Sequence, residues 1–261
     1  MTTTIERPPP EGAADRPEHR AEVAALLATG PEDVPGVVAR LAELQEVLER
    51  GWGKEDGLSC FNHVYTQITR GIAEQLATDL FADREFLERF DVEFARRYLA
   101  AVRADACGDT PPRAWAVLLR QRSNPRIDPM GFAVAGVNAH VNYDLAPALV
   151  RTCTVLGRPS LGLDERQGFN AVNSVFALQM PRLLEHFEGW LLRTLDATLL
   201  EQLIGAVADV PVVLAREVAW RQALELWERR SKPAEYELEC EALDKRTALV
   251  GRGLLTIAGL W

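Results

Sequence analysis

Apolar residues recur at intervals of three and four positions along most of the chain, and Gly and Pro residues interrupt this pattern. The pattern predicts α-helices over 18–29, 35–50, 58–78, 84–104, 111–122, 129–145, 147–156, 165–179, 182–204, 211–230 and 233–258. No segment of the sequence combines alternating polar and apolar positions with enrichment in β-branched residues, so we expect no strands. The predicted fold class is therefore all-α, a single-domain helical bundle of about ten helices.

The predicted helix 129–145 differs from the others because its apolar residues surround the helix axis. These residues are Met130, Phe132, Ala133, Val134, Ala135, Val137, Ala139 and Val141. A helix that is apolar on every side is buried on every side, so we predict that 129–145 lies at the centre of the bundle. It nevertheless carries Asn138, His140, Asn142 and Asp144. Buried polar groups need partners or a ligand, because leaving one unpaired costs roughly 1–3 kcal/mol.

The ends of the chain and its composition indicate the bounds of the domain and its cellular compartment. We predict a disordered tail over residues 1–17, which are rich in Thr, Pro and Glu, followed by one helical domain over 18–261. The tail lacks the apolar core of a signal peptide, and no apolar run in the sequence reaches membrane-spanning length without charges. We therefore expect a cytoplasmic protein that does not bind membranes.

The charge and the missing motifs exclude several partners and cofactors. The net charge is −9, which would repel a polyanion, so nucleic acid is not an expected partner. Four cysteines lie far apart in the sequence, without a CxxC pair, which is typical of reduced thiols. No Gly-rich phosphate loop follows a predicted strand, so we expect no nucleotide cofactor.

His140 and Asp144 are the first candidates for chemistry. They lie four residues apart and therefore on one stripe of the helix. A carboxylate one turn from an imidazole can select its tautomer and raise its basicity. Two structural alternatives remain open. Asp144 can cap a helix that begins near Pro147, and His140 can be a hydrogen-bonded core histidine.

Polar residues on two other predicted helices are candidate partners of this pair. Asp91 lies on the flank of an apolar helix face beside Phe94, where a buried carboxylate would require His140, an arginine or a cation. Asn62, Tyr65 and Thr69 form a polar stripe along helix 58–78. For each of these residues, a hydrogen bond that bridges helices is the structural alternative.

A metal site is a further alternative for the acidic and histidine residues. The sequence contains neither HExxH nor the ExxH pairs of di-iron bundles, and it has no GxSxG elbow. The spacing of His140 and Asp144 nevertheless suits two metal ligands, and Asp91 is a candidate for the third. Such a site would hold one divalent metal ion that polarises a carbonyl or activates water.

Three segments of the sequence resemble the motifs of one bacterial, all-helical domain family of unknown function. The segment Phe132–Leu145, with the pattern N-A-H-x-x-x-D-L, is similar to the central signature of that family. The run FNHVY from Phe61 to Tyr65, and Asp91 with the downstream Phe94, Ala95 and Tyr98, resemble its two earlier motifs. The resemblance implies that Asn62, Tyr65, Asp91, Asn138, His140 and Asp144 form one cluster. It implies no activity.

The first functional hypothesis is an enzyme of specialised metabolism that acts on a small, largely apolar organic substrate. His140 would be the general acid or base, Asp144 would orient it, and Asp91 and Tyr65 would handle a second proton or position the substrate. The expected substrate-binding residues are Asn62, Thr69, Asn138, Asn142, Phe61, Phe94 and Trp115, whose aromatic members would wall the pocket.

The second hypothesis is a non-catalytic helical module that binds a ligand or a partner protein. Helix 211–230 carries apolar residues on two sides, with Leu214, Val218 and Leu226 on one and Trp220, Leu224 and Trp227 on the other. We expect both sides to be buried, one of them in part by a homodimer.

Overall fold

The computed structural model describes residues 17–78, 82–194 and 210–259. The predicted tail over 1–17 lies outside these ranges except for Pro17, which begins the first helix. The end of the predicted helix 182–204 lies outside them as well. The described residues form helices and connecting turns with no strand, so the prediction of an all-α, single-domain fold is confirmed.

The helices are α1 (Pro17–Leu26), α2 (Val34–Trp52), α3 (Gly57–Leu76), α4 (Arg84–Cys107), α5 (Arg113–Gln121), α6 (Pro129–Ala139), α7 (Leu145–Val155), α8 (Leu163–Thr194), α9 (Val210–Arg229) and α10 (Pro233–Ala258). A π-helical turn, His140–Asp144, joins α6 to α7. The helix α8 replaces the two helices predicted at 165–179 and 182–204. None of the described helices is long and apolar enough to cross a membrane.

The helical stretch that contains α6, the π turn and α7 is continuous, although the sequence predicts a break before Pro147. Proline has no amide hydrogen, and its ring crowds the carbonyl four residues earlier, which here belongs to Tyr143. The wider π turn lies at this point, and the Thr247 hydroxyl donates to the Asn142 carbonyl at 3.2 Å. Residues 129–150 include no exposed residue. Turns of this kind are frequent at functional sites.

The packing of these helices creates a shared interior. α3 contacts α2, α6 and α8, whereas α7 contacts α4 and α9. Gly136 allows α3 and α6 to approach closely, because a Cβ there would lie 2.3 Å from ring atoms of Phe61. The segments α3, α4, α6, the π turn, α8 and α9 thereby line one cavity, which is described below.

The helix α9 is buried on one side only. Its buried side includes Trp220 and Leu226, which the sequence assigns to opposite sides, whereas Leu214 is 59% exposed and Val218 is 48% exposed. The expectation that both sides are buried is therefore wrong for the single chain. The homodimer remains a proposal, and these two exposed residues are where it would be tested.

Candidate active site

The structure brings His140 and Asp144 together across the π turn. Nδ1 of His140 lies 3.0 Å from Oδ2 of Asp144, and both side chains are almost fully buried. Trp115 Nε1 donates to the same Oδ2 at 2.8 Å, and Arg97 Nε donates to Oδ1 at 3.2 Å. Because Asp144 accepts from these two obligate donors, we assign the hydrogen of the imidazole to Nδ1. Nε2 of His140 then carries a lone pair.

Asp144 has no capping role. Its side chain makes no hydrogen bond to the first amides of α7, so the capping alternative is wrong. The amides at the start of α7 do not need a cap because α7 continues the π turn without a break. The carboxylate is free to hold the imidazole instead.

Aromatic rings enclose the imidazole of His140. The Phe94 ring stacks on it with a centroid distance of 3.5 Å and an angle of 8°, and the Tyr65 ring meets it edge-on at 4.4 Å. The rings of Phe61, Tyr98 and Trp115 lie within 6.0 Å of it. Burial lowers the pKa of His140, although the hydrogen bond and charge of Asp144 oppose this effect. The imidazole is therefore neutral at pH 7.

His140 lines a cavity of about 40 Å³. The other lining residues are Phe61, Val64, Tyr65, Ile68, Ile72, Phe94, Val137, Val141, Val172, Phe176 and Arg216. Nε2 of His140 is buried and has no hydrogen-bond partner among the described residues. The cavity has room for a few waters, whereas typical ligand sites measure roughly 300–1,000 Å³. It suits a compact molecule, and a larger one would have to displace the aromatic walls.

Tyr65 supplies the phenol of this cavity. Its oxygen is buried and lacks a hydrogen-bond partner within the part of the chain that the structure describes. Burial raises the pKa of Tyr65 well above its usual value, and the charge of Asp91 raises it further. The phenol is therefore a neutral donor. Thr69, one turn later, donates to the Tyr65 carbonyl at 2.9 Å and does not line the cavity.

Asp91 is buried without the partner that the sequence led us to expect. It is 4% exposed, and its Oδ2 accepts no hydrogen bond from any described residue. Neither His140 nor an arginine pairs with this Oδ2 among the described residues, and the third expected partner, a cation, stays a prediction. Burial raises the pKa of Asp91 to about 7. Asp91 does not line the cavity, and its charge raises the pKa of the lining residue Tyr65.

Asn62 joins three helices and does not line the cavity. Its amide nitrogen donates to the Leu41 carbonyl at 3.0 Å and to Gln45 Oε1 at 2.7 Å. Its amide oxygen accepts from the Tyr98 hydroxyl at 3.1 Å. These bonds tie α3 to α2 and α4, which is the structural alternative rather than substrate binding.

The asparagines of the central stretch have a similar structural role. Asn138 donates to the Thr247 carbonyl at 3.1 Å, and Asn142 donates to Asn138 Oδ1 at 3.0 Å. Both therefore face α10, away from the cavity lining. The geometry does not support the prediction that they bind substrate.

Comparison with protein families places the chain in a known group. The model of a family of unknown function, DUF5995, matches residues 34–257. The chain belongs to the DUF5995 family. No curated protein and no solved structure matches it. The DUF5995 region begins with α2 and ends within α10, so it contains every residue of the His140 site.

The metal site predicted on His140, Asp144 and Asp91 is not supported by the geometry of this DUF5995 domain. Among the side chains that the structure describes, no three His, Cys, Asp or Glu groups lie where they could hold a metal ion. The oxygens of Asp144 already accept from Trp115, Arg97 and His140. Asp91 makes no hydrogen bond to His140 or Asp144, the two residues with which it would share the metal ion.

Two arginines of the DUF5995 domain were missed by sequence reasoning. Arg97 contacts Asp144 from 47 residues away, and no local pattern indicates that contact. Arg216 lines the cavity and had a signal: it precedes Trp220 and Trp227 by four and eleven residues, which places it on the buried side of α9. An arginine on a buried stripe indicates a polar site inside the bundle.

Proposed function

We propose that this protein is an enzyme that acts on a compact, largely apolar organic substrate, with His140 as general base. The observation that carries the proposal is the buried Nε2 of His140, which lacks a hydrogen-bond partner among the described residues although the residue lines a cavity. Such an orphaned acceptor costs roughly 1–3 kcal/mol unless something fills its place. A substrate proton is the partner that we infer.

Asp144 prepares the imidazole for this role. Its hydrogen bond to Nδ1 selects the tautomer with a free Nε2 and holds the ring in one orientation. When Nε2 accepts a proton, the carboxylate stabilises the resulting imidazolium. Trp115 and Arg97 hold the carboxylate in turn. The aromatic side chains around His140 exclude water, which strengthens these interactions.

Tyr65 is the second group that touches the substrate in this proposal. Its neutral phenol lines the cavity and can donate a hydrogen bond to an oxygen that becomes negative during the reaction. Burial keeps the phenol of Tyr65 protonated, and the charge of Asp91 raises the pKa of Tyr65 further.

The cavity favours proton transfer over covalent catalysis. Its lining includes no Ser, Thr, Cys or Lys side chain in the described part of the chain, so the usual nucleophiles are not at hand. The simplest reaction is removal of a proton next to a carbonyl. The C–H proton passes to Nε2 of His140, the electron pair moves into the carbonyl, and the phenol of Tyr65 donates to the resulting enolate oxygen.

Proton abstraction can be tested before the full reaction is known. The protein is incubated in D₂O with small ketones and keto acids, and the loss of their exchangeable C–H signals is followed by proton NMR. We expect exchange with the wild-type protein and a fall of about a hundredfold or more in His140→Gln, since general bases contribute that much. His19→Gln is the matched control, because His19 lies on α1 and pairs with Glu22.

A non-catalytic ligand-binding module is the second candidate, and the apolar, 40 Å³ cavity favours it. The same experiment separates the two functions when binding is measured in parallel by calorimetry. Compounds that bind the wild-type protein without any exchange would establish the binding module. Exchange that is equal in the wild-type protein and in His140→Gln would remove His140 from the catalytic role.

A further inference from the structure

The cavity contains a second functional group that the proposed base does not use. Arg216 of α9 lines the cavity that His140 lines, and only 2% of its surface is exposed. Burial lowers the pKa of Arg216 to about 9, so the guanidinium remains charged at pH 7. The cavity therefore combines an apolar wall, a neutral base and one permanent cation.

Arg216 has only neutral partners. Its Nε donates to Asn173 Oδ1 at 2.7 Å, and its Nη2 donates to the Phe169 carbonyl at 2.6 Å. The guanidinium also lies 4.1 Å from the Phe169 ring centroid and 5.4 Å from that of Phe176. Nη1 makes no hydrogen bond to a described residue, and within the described ranges no carboxylate pairs with Arg216. Three of its five N–H groups are thus available.

The absence of a counter-charge distinguishes Arg216 from other inward-facing arginines of the described chain. The buried Arg122 lies 3.8 Å from Asp56, and Arg97 contacts Asp144. A buried cation that has no anion nearby destabilises a fold, and aromatic faces and neutral acceptors offset only part of that cost. Hydrogen bonding to the Phe169 carbonyl alone would not require a charged side chain. Among the residues that the structure describes, this arrangement lacks an anion.

We propose that the molecule bound in this cavity is a compact monocarboxylate, whose carboxylate pairs with Arg216 and whose apolar body packs between Phe94, Val172 and Phe176. This inference rests on the proposed function in so far as it makes that molecule the substrate. The planar fork of a guanidinium matches a carboxylate in shape and charge. A phosphate monoester carries close to two charges, which the single cation would not neutralise.

The position of Arg216 also explains how the substrate would be oriented. Arg216 and His140 line one cavity of about 40 Å³, so a short molecule can reach both residues. With the carboxylate on Arg216, the other end of the substrate is directed to Nε2 of His140 and to the phenol of Tyr65. A keto acid fits this arrangement, because the carbon next to its ketone carries the exchangeable proton and its carboxylate provides the anchor.

Pairs of acids and amides of the same shape test the inference directly. Benzoate is compared with benzamide, and 2-methylpropanoate with its amide, by calorimetry on the full chain at pH 7. We expect each carboxylate to bind at least tenfold more tightly than its amide. Equal affinity within a pair, or no detectable binding of either carboxylate at millimolar concentration, would overturn the inference.

Variants of Arg216 locate the effect. Arg216→Gln should weaken carboxylate binding at least tenfold and leave amide binding within twofold. Arg166→Gln is the matched control, because Arg166 also lies over an aromatic ring, that of Trp220, but it pairs with Glu217 and does not line the cavity. Unchanged carboxylate affinity in Arg216→Gln would overturn the inference. If that variant does not fold, the acid and amide pairs on the wild-type protein decide.

The failure of this inference can be distinguished from the failure of the proposed function. Carboxylates that bind through Arg216 but undergo no exchange would support the anion site and refute His140 as a base. Exchange of neutral ketones that depends on His140, without preference for carboxylates, would support the base and overturn the anion site.

Discussion

The surroundings of Asp144 and of Asp91 differ although both carboxylates are buried. Asp144 is 1% exposed and accepts from His140, Trp115 and Arg97. Asp91 is 4% exposed, and its Oδ2 accepts from no residue that the structure describes. Burial is the same for both, so it does not by itself indicate a role. The hydrogen-bond donors around a carboxyl group do indicate its role, because in general they decide whether burial favours the charged or the neutral form.

The comparison assigns the two acids to different tasks. Asp144 is held in one position by three hydrogen-bond partners, which suits a residue that orients an imidazole. Asp91 has a pKa of about 7, so its charge changes near neutral pH and affects Tyr65 when present. One acid is a fixed part of the site, and the other can modulate it.

Removal of the Asp144 side chain should have the largest effect on stability. Asp144→Ala leaves the Trp115 and His140 N–H groups and the Arg97 guanidinium without their acceptor, so we expect a loss of about 3–5 kcal/mol in the free energy of unfolding. Urea denaturation at pH 7 measures this loss. Asp91→Ala is the matched control and should lower stability at pH 7 far less than Asp144→Ala, or raise it, because it removes a charge that no described residue neutralises. Equal losses in both variants would contradict the distinction between the two acids.

The pH dependence of stability should show the second largest effect. The pKa of Asp91 rises from an unfolded value near 3.8 to about 7 in the folded protein. The folded state therefore binds more protons between these values, and the contribution of Asp91 to stability is present below pH 4 and is lost as the pH rises to 7. The expected change is a few kcal/mol, since one pKa unit corresponds to about 1.4 kcal/mol.

The variant Asp91→Asn separates the contribution of Asp91 to the pH dependence of stability from that of His140, which has the opposite sign. The lowered pKa of His140 contributes stability above pH 6.5 that is lost as the pH falls. The difference in unfolding free energy between the wild-type protein and Asp91→Asn therefore reports Asp91 alone. We expect this difference to shift steadily against the wild-type protein as the pH rises from 4 to 7. A difference that does not vary with pH would show that Asp91 has an ordinary pKa.

Local patterns account for what could be predicted from the sequence. Apolar periodicity predicts the helices, and in the structure the start of α4 is capped by Asp83, which accepts from the Phe86 amide at 3.0 Å. His140 and Asp144 could be paired because they lie four residues apart, and such residues share one side in an α-helix and in a π turn alike. The π turn itself was not predicted, because Pro147 was interpreted as the start of a new helix.

Contacts between distant segments account for what could not be predicted. The donors that hold Asp144 come from Trp115 and Arg97, which are 29 and 47 residues away in the sequence. Periodicity showed that Asp91 lies beside an apolar face, but it could not show which side chains meet it there. The sequence does not distinguish an asparagine that binds a ligand from one that joins helices. The contact with Thr247 in the structure shows that Asn138 ties α6 to α10.

Removal of Arg97 should have the smallest effect on stability. It tests how far Arg97 helps to hold the Asp144 carboxylate beside His140. Arg97 is about one-third exposed at 31%, so Arg97→Gln should reduce the free energy of unfolding by about 1 kcal/mol or less. The charge of Arg97 lowers the pKa of His140, so the variant should raise that pKa. NMR titration of the His140 ring measures the shift. Arg96→Gln is the matched control, because Arg96 donates to the Pro31 carbonyl and is not a partner of Asp144. If both variants leave the titration of His140 unchanged, Arg97 does not affect the imidazole through Asp144. The hydrogen bond between Asp144 and His140 would then not depend on Arg97.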